Sequence, residues 1–269
     1  MKSYRRALTI AGSDSGGGAG IQADLKTFSA LGCYGMSAIT ALTAQNTVAV
    51  VAIQPVPPAF IAAQIDAVME DIGVDAVKIG MLHSAEAIQI VAERLGYHHA
   101  GNIVLDPVMV AKSGARLLQE EAVAALRTIL VPMATVFTPN LPEASVLLGR
   151  VLRSEEELRR ACFDLAELGP RAVLLKGGHL TGKCSPDLFY DAAEGKLAVL
   201  EAERVETANS HGTGCTLSSA IAAFLARGCS VAEAVREAKT YVTQALQAGA
   251  DYRLGHGHGP VHHFYRFWE

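Results

Sequence analysis

The chain has 269 residues, half of them hydrophobic, and a formal net charge of −4. That length holds a large core and favours a single domain over residues 1–269. The acidic balance, with no basic run longer than Arg5-Arg6 or Arg159-Arg160, excludes a nucleic-acid footprint, and no window approaches the roughly 18 apolar residues of a membrane span.

The opening Met-Lys-Ser-Tyr-Arg-Arg does not read as a secretory leader. Five widely spaced cysteines, without a C-x-x-C, read as reduced thiols of a cytoplasmic protein. A short apolar strand, Ala7–Ala11, runs into the glycine-rich segment 12–20 and then a helix-like stretch, Ile21–Leu31. Strand-like Met36–Ala44 and the β-branched Val48–Ile53 follow, then the breakers Pro55, Pro57 and Pro58. Phe60–Asp71 has helical spacing, Ala76–Ile79 reads as a buried strand and Ala85–Leu95 as a helix. Ile103–Leu105 is a strand ending in Asp106-Pro107. The helix-like Glu120–Leu130 precedes strand Thr135–Phe137, which ends in Thr138-Pro139-Asn140. Ser154–Leu168, opened by a capping box from Ser154 to Glu157, precedes strand Ala172–Leu175 and Lys176-Gly-Gly178. Leu188–Asp191 and Lys196–Leu200 form a hairpin around Glu194-Gly195. Helices Thr216–Ala226 and Val231–Ala248 close the fold before a Gly/His-rich tail.

This alternation predicts an α/β protein with a mainly parallel sheet covered on both faces, whose ligands sit beyond the carboxyl ends of the strands. Ser13-Asp14, Gln45-Asn46, Lys78, Asp106, Asn140 and Lys176 collect there. The stretch His211-Gly-Thr-Gly-Cys-Thr216 opens an apolar helix and is the strongest chemical signal. Bare amides and the dipole at such an end attract anions, and a cysteine in the first turn is expected to be a better thiolate than a free one.

Other motifs read differently. Gly18–Ala23 fits G-x-G-x-x-A, but no carboxylate lies between Asp24 and Asp66, so a nicotinamide site is rejected in favour of a loop approaching a small ligand. Gly177–Lys183 matches G-x-x-x-x-G-K, yet Cys184 stands where Ser or Thr belongs and a strand follows. Asp24, one turn into its helix, reads on its own as a solvated carboxylate. Gln45 can both donate and accept along a heterocycle's edge. Asp106 and the pair Asn140/Glu143 suit magnesium or phosphate-bound water, and Lys176 suits a phosphate. In the tail, residues 255–263, packing across the fold is favoured over metal binding, because no cysteine or carboxylate adjoins its histidines. Met81 and Val108 read as core.

Taken together, Leu8–Lys26, Thr43-Ala-Gln-Asn46, Lys78-Ile-Gly-Met-Leu82, Leu105–Met109, Thr138–Ala144, Leu175–His179 and His211–Thr216 closely resemble the hydroxymethylpyrimidine/phosphomethylpyrimidine kinases of thiamine biosynthesis. The resemblance implies a ribokinase-like three-layer α/β/α sandwich without a separate lid domain. It implies ATP and Mg2+ as cofactors, two successive phosphorylations of a hydroxymethylpyrimidine, and a homodimer. Residue by residue, it places Gly12, Ala19, Asp24 and Gln45 on the aminopyrimidine, with Met81 and Val108 as the pocket wall. Asp106, Asn140 and Glu143 would organise magnesium and phosphates. Lys176 would face the ATP phosphates, Thr207, His211 and Gly214 would line the nucleotide side, and Lys239 would lie near adenine. Gly212, Gly214 and Cys215 would cradle the moving phosphoryl, with Cys215 as base where many superfamily members carry aspartate. That cysteine keeps a pyridoxal/pyridoxine kinase as the alternative reading.

Overall fold

Side chains alternate along the central strands, so each strand feeds two cores. Leu8 and Ile10 enter one core while Ala7 enters the other; Val77 and Ile79 oppose Ala76, and Ile103 and Leu105 oppose Val104. A computed structural model describes residues 2–110, 117–178 and 185–268. Its elements are β1 (Arg5–Asp14), α1 (Gly20–Ala30), β2 (Cys33–Gln45), β3 (Val50–Pro55), α2 (Pro58–Asp71), β4 (Ala76–Ile79), α3 (Ala85–Tyr97), β5 (Ile103–Leu105), α4 (Ala122–Ala125), β6 (Val136–Phe137), α5 (Leu141–Leu148), α6 (Glu155–Ala166), β7 (Ala172–Leu175), β8 (Asp187–Asp191), β9 (Lys196–Leu200), α7 (Thr213–Ala226) and α8 (Val231–Gly249).

The strands form one sheet in the order β3-β2-β1-β4-β5-β6-β7-β8-β9. From β2 through β7 neighbours run parallel; β3, β8 and β9 are antiparallel additions at the two edges. Helices α2 to α6 pack on one face, and α1, α7 and α8 on the other. The result is the mainly parallel, three-layer architecture expected from the sequence. α7 is buried at every residue from Thr216 to Ala226; the stretch is mostly apolar, and the hydroxyls of Thr216, Ser218 and Ser219 are hydrogen-bonded inside the core. Because this helix runs through the core, its N-terminus is fixed at the carboxyl ends of the strands.

Two elements depart from the sequence expectation. The stretch 120–130 is not one helix: α4 gives way to a π turn, Leu126–Leu130, and a 3-10 turn, Val131–Met133. Pro132 lacks the N–H that would continue the helical ladder. Conversely α5, absent from that expectation, forms directly after Asn140. Asn140 Oδ1 accepts the Glu143 amide at 2.9 Å, Glu143 Oε2 accepts the Asn140 amide at 2.8 Å, and Gly149 ends the helix in the left-handed region. The capping box expected from Ser154 to Glu157 is present at the start of α6. The near-miss phosphate loop falls partly on 179–184, outside the described residues.

Candidate active site

A cavity of about 890 Å3 opens at the carboxyl ends of the parallel strands, lined along its length by Gly12, Gln45, Asp106, Lys176, Cys215 and Lys239. One end is small and apolar. Met81 packs with Ala41, Leu117, Val108 and Ile53, and a Cβ on Gly12 would lie 2.8 Å from Met81 Cε. Met81 and Val108, read as core from the sequence alone, line the cavity wall. Ala19 and Gln45 complete that end. Gln45 accepts from Thr43 Oγ1 at 3.2 Å, and its Nε2 lies 3.2 Å from His211 Nε2.

The His211 ring, assigned by resemblance to the nucleotide side, lies against Gln45 and Asp14, with Nε2 2.9 Å from Asp14 Oδ2. Asp14 in turn accepts the amides of Gly16, Gly18 and Ala19 at 2.8, 3.1 and 2.8 Å. Burial opposes its charge, but the His211 hydrogen bond and the loop amides outweigh it and hold the carboxyl below its ordinary range. Asp24 is neither a cavity residue nor a solvated one. It is fully buried, bound by Lys78 Nζ at 2.8 and 3.0 Å, by Thr9 Oγ1 at 2.6 Å and by Ser219 Oγ at 2.6 Å. Four hydrogen bonds from three donor groups occupy its acceptor positions.

The glycine loop locks onto the start of α7. A Cβ on Gly212 would collide with Gly18 O, and one on Gly18 with the His211 ring. Gly212 is the N-cap with φ 76°, and no side chain caps the helix. The first-turn amides of Gly214 and Cys215 have no intrahelical carbonyl to reach, and both residues line the cavity. A Cβ at Gly214 would lie 3.5 Å from Lys176 Nζ and 3.6 Å from Asp106 Oδ2, so the helix start abuts the Lys176–Asp106 ion pair, itself 2.7 Å long. Burial would depress the Lys176 ammonium, but Asp106 and then Glu143 hold it above its ordinary range.

Cys215 differs from the sequence expectation. Instead of being lowered, its thiol is pushed up to about 11, first by burial and then by Asp24 and Asp106; Lys78 and the Gly20 amide pull the other way. Desolvation outweighs the pull of Lys78 and the Gly20 amide.

Glu143 is spent partly on the capping box. Burial and then Asp106 push its carboxyl up to about 7, against the pull of Lys176. Two carboxylates in one buried corner thus share Lys176. That donor set fits a hard cation held by one or two carboxylates with substrate phosphates and water. No cluster of three or more His, Cys, Asp or Glu that could hold a metal on protein ligands alone exists among the described residues.

At the far end Lys239 Nζ bonds Asp187 Oδ2 at 2.7 Å and Ser185 O at 2.9 Å, and Asp187 Oδ1 accepts the Gly177 amide at 2.8 Å. Thr207 also lines the cavity. Sequence reasoning missed Lys78, Asp14 and Asp187 as site residues. The first two stood at strand ends in plain view, whereas nothing local marked Asp187. The histidine tail packs as expected: the amides of His256, Gly257 and His258 bond Thr47, and Gly259 O accepts the His211 amide.

Residues 14–262 match the family model for phosphomethylpyrimidine kinase. A hydroxymethylpyrimidine/phosphomethylpyrimidine kinase of Rhizobium meliloti is 53% identical over 264 residues, covering 98% of both chains. Among solved structures, a phosphomethylpyrimidine kinase of Clostridium difficile superposes with a TM-score of 0.79 at 46% identity, over 90% of this chain and 99% of that one. A pyridoxal kinase of Staphylococcus aureus in complex with AMP-PCP and pyridoxal superposes with a TM-score of 0.89 at 36% identity, over 99% and 96%.

Proposed function

The chain belongs to the phosphomethylpyrimidine kinase family, and on that premise we propose that its cavity joins an ATP site to a hydroxymethylpyrimidine site across the first turn of α7. It is an ATP-dependent kinase with a ribokinase-like fold. It phosphorylates 4-amino-5-hydroxymethyl-2-methylpyrimidine to the monophosphate and then to the diphosphate, for thiamine synthesis. The observation that carries the assignment of parts is the uncapped start of α7. Its amides stand between Lys176–Asp106 on one side and the Gly12/Gln45/Met81 pocket on the other.

In the first step, the hydroxymethyl oxygen attacks the terminal phosphorus. An O–P bond forms, the bond to the bridging oxygen breaks, and its electron pair leaves with ADP. The amides of Gly212, Gly214 and Cys215 hold the equatorial oxygens as charge spreads over them, and Lys176 offsets charge on the leaving diphosphate. The acceptor's proton passes to the sulfur of Cys215 in its thiolate form, giving the thiol. Asp106 and Glu143 would hold Mg2+, with Asn140 setting Glu143 in place; the ion would supply positive charge to offset that of the phosphates. The second acceptor is a phosphate monoester with a second pKa of about 6, already ionised at neutral pH, and it needs no base. Thr207 and Lys239 belong to the nucleoside end, and Asp187 neutralises Lys239 there.

Gln45→Ala tests the acceptor pocket. It removes one hydrogen-bonding edge and is expected to raise the KM for the pyrimidine about 10- to 100-fold, with the KM for ATP within about twofold. Equal changes in both would place Gln45 outside the acceptor pocket. The likeness to pyridoxal kinases supports one second reading, phosphorylation of a B6 vitamer. ADP release with the pyrimidine alcohol and with pyridoxine under the same Mg-ATP separates the two. The expected kcat/KM favours the pyrimidine, and a preference for pyridoxine would contradict this assignment.

The same proposal takes residues 1–269 as one domain, supported by the single sheet that threads the described residues. It also takes the kinase as a cytoplasmic homodimer. For the dimer, β3 offers an unpaired sheet edge with Val51 and the neighbouring Val48 exposed.

A further inference from the structure

The Asp24–Lys78 pair is the most deeply buried ion pair among the described residues, and the mechanism above gives it no task. Both side chains are fully buried. Lys78 nonetheless lines the cavity, whereas Asp24 does not. The pair is costly to bury, and apolar residues would fill the same volume more cheaply in free energy. Its surroundings are built to keep it. Asp24 accepts from Thr9 and Ser219 in addition to Lys78, so its charge is satisfied from three elements. Gly80 leaves room for the ammonium, since a Cβ there would lie 2.7 Å from Lys78 Nζ. Asp24 is the hydrogen-bond partner of Lys78, which leaves part of the ammonium's donor capacity for the cavity side.

Ser219, one turn along α7 from Cys215, bonds the same Asp24 oxygen that holds Lys78 Nζ, and Lys78 and Cys215 both line the cavity. We infer that Lys78 is a positioning residue of the first phosphorylation, its cation held by Asp24 against the start of α7 so that it favours negative charge on the Cys215 sulfur. The groups that act on the Cys215 sulfur come from each element around it. Lys78 from β4 and the Gly20 amide at the start of α1 favour the thiolate; Asp24 from α1 and Asp106 after β5 oppose it. Lys176 after β7 is a further cation coupled to this sulfur. Lys78 is the first of the groups favouring the anion, and the sulfur in turn favours the lysine's charge. As the acceptor O–P bond forms, the hydroxyl proton moves to sulfur. The thiol so formed returns its proton to water before the next turnover, and the Lys78 cation eases that return.

The inference rests on Cys215 being the base, so its test reads the sulfur directly as well as the rate. Iodoacetamide alkylation of the Cys215 peptide is followed by mass across pH in the intact protein, without nucleotide or magnesium. Lys78→Met is expected to move the alkylation midpoint up by at least one pH unit, and Asp24→Asn to move it down. Because Lys78→Met strands a buried carboxylate, Asp24→Asn/Lys78→Met is made alongside it. That pair removes both charges and is expected to titrate between Lys78→Met and the wild type. Lys78→Met should also slow phosphorylation of the alcohol at least tenfold more than phosphorylation of the monophosphate. A merely structural role would shift both single variants in the same direction, and that result, or an unshifted double variant, overturns the inference. Opposed alkylation shifts with equal losses in the two steps would instead retain the Lys78–Cys215 coupling and refute Cys215 as base.

Discussion

Cys215→Ala is expected to lower phosphorylation of the hydroxymethylpyrimidine by about 10²- to 10⁴-fold, the range for loss of a positioned base. Phosphorylation of the monophosphate should fall by less than tenfold. The asymmetry follows from the acceptors: a primary alcohol must lose its proton as it is phosphorylated, whereas a phosphate monoester has already lost it. Alanine keeps the backbone amide, so the anion-binding turn survives and the second step reports on it. The thiol adds a signature in pH. Burial raises Cys215 to about 11 in the ligand-free protein, and a base works only when deprotonated. For the wild type, kcat/KM of the first step should therefore climb about tenfold per pH unit from neutrality into the alkaline range. The second step should lack that climb, and Cys215→Ala should abolish it in the first. Comparable losses in both steps would make Cys215 part of the anion cradle and nothing more.

Gly212→Ala should fail differently, lowering both steps together by at least about 100-fold, as expected when donors to a developing anion are displaced. Gly212 has φ 76°, which costs a side chain about 1–2 kcal/mol. The steric conflict is worse, because its Cβ would occupy the position of Gly18 O. The alanine must push the glycine loop away from α7. That breaks the junction through which the loop, His211 and the first-turn amides share one geometry. Steady-state rates from each acceptor, with circular dichroism to verify folding, check this. A variant that lost only the first step would show that the helix start does not hold the phosphoryl group.

The parts of this site that were legible in the sequence are those whose chemistry is local. A glycine-bounded helix start declares its bare amides in six residues, 211–216, and polar residues at strand ends declare the open end of a parallel sheet. The bounds of β4, β5 and β7 could be read from apolar runs, because a strand buried on both faces leaves no other pattern, and those of the edge strand β9 from the hairpin turn at Glu194-Gly195. What escaped depends on distant partners. Asp24 reads as a surface carboxylate until β4 brings Lys78 against it from 54 residues away. The Cys215 thiol looks activated by its helix until its burial and the carboxylates of Asp24 and Asp106 are counted, and these push it up. His211 sits beside the nucleotide-side residues in sequence, yet its ring turns toward Asp14 and Gln45. α5 was hidden by its eight residues and by Pro142, although Asn140 and Glu143 spell its cap.

The most direct measurement of the central claim is a mass-resolved time course of products from Mg-ATP and the pyrimidine alcohol, run in parallel from the monophosphate, with wild type and Cys215→Ala. The account predicts that the wild type passes through monophosphate to diphosphate from the alcohol. Cys215→Ala should yield almost no product from the alcohol and near-normal diphosphate from the monophosphate. A Cys215→Ala enzyme that makes monophosphate at the wild-type rate, or loses both reactions alike, would contradict it.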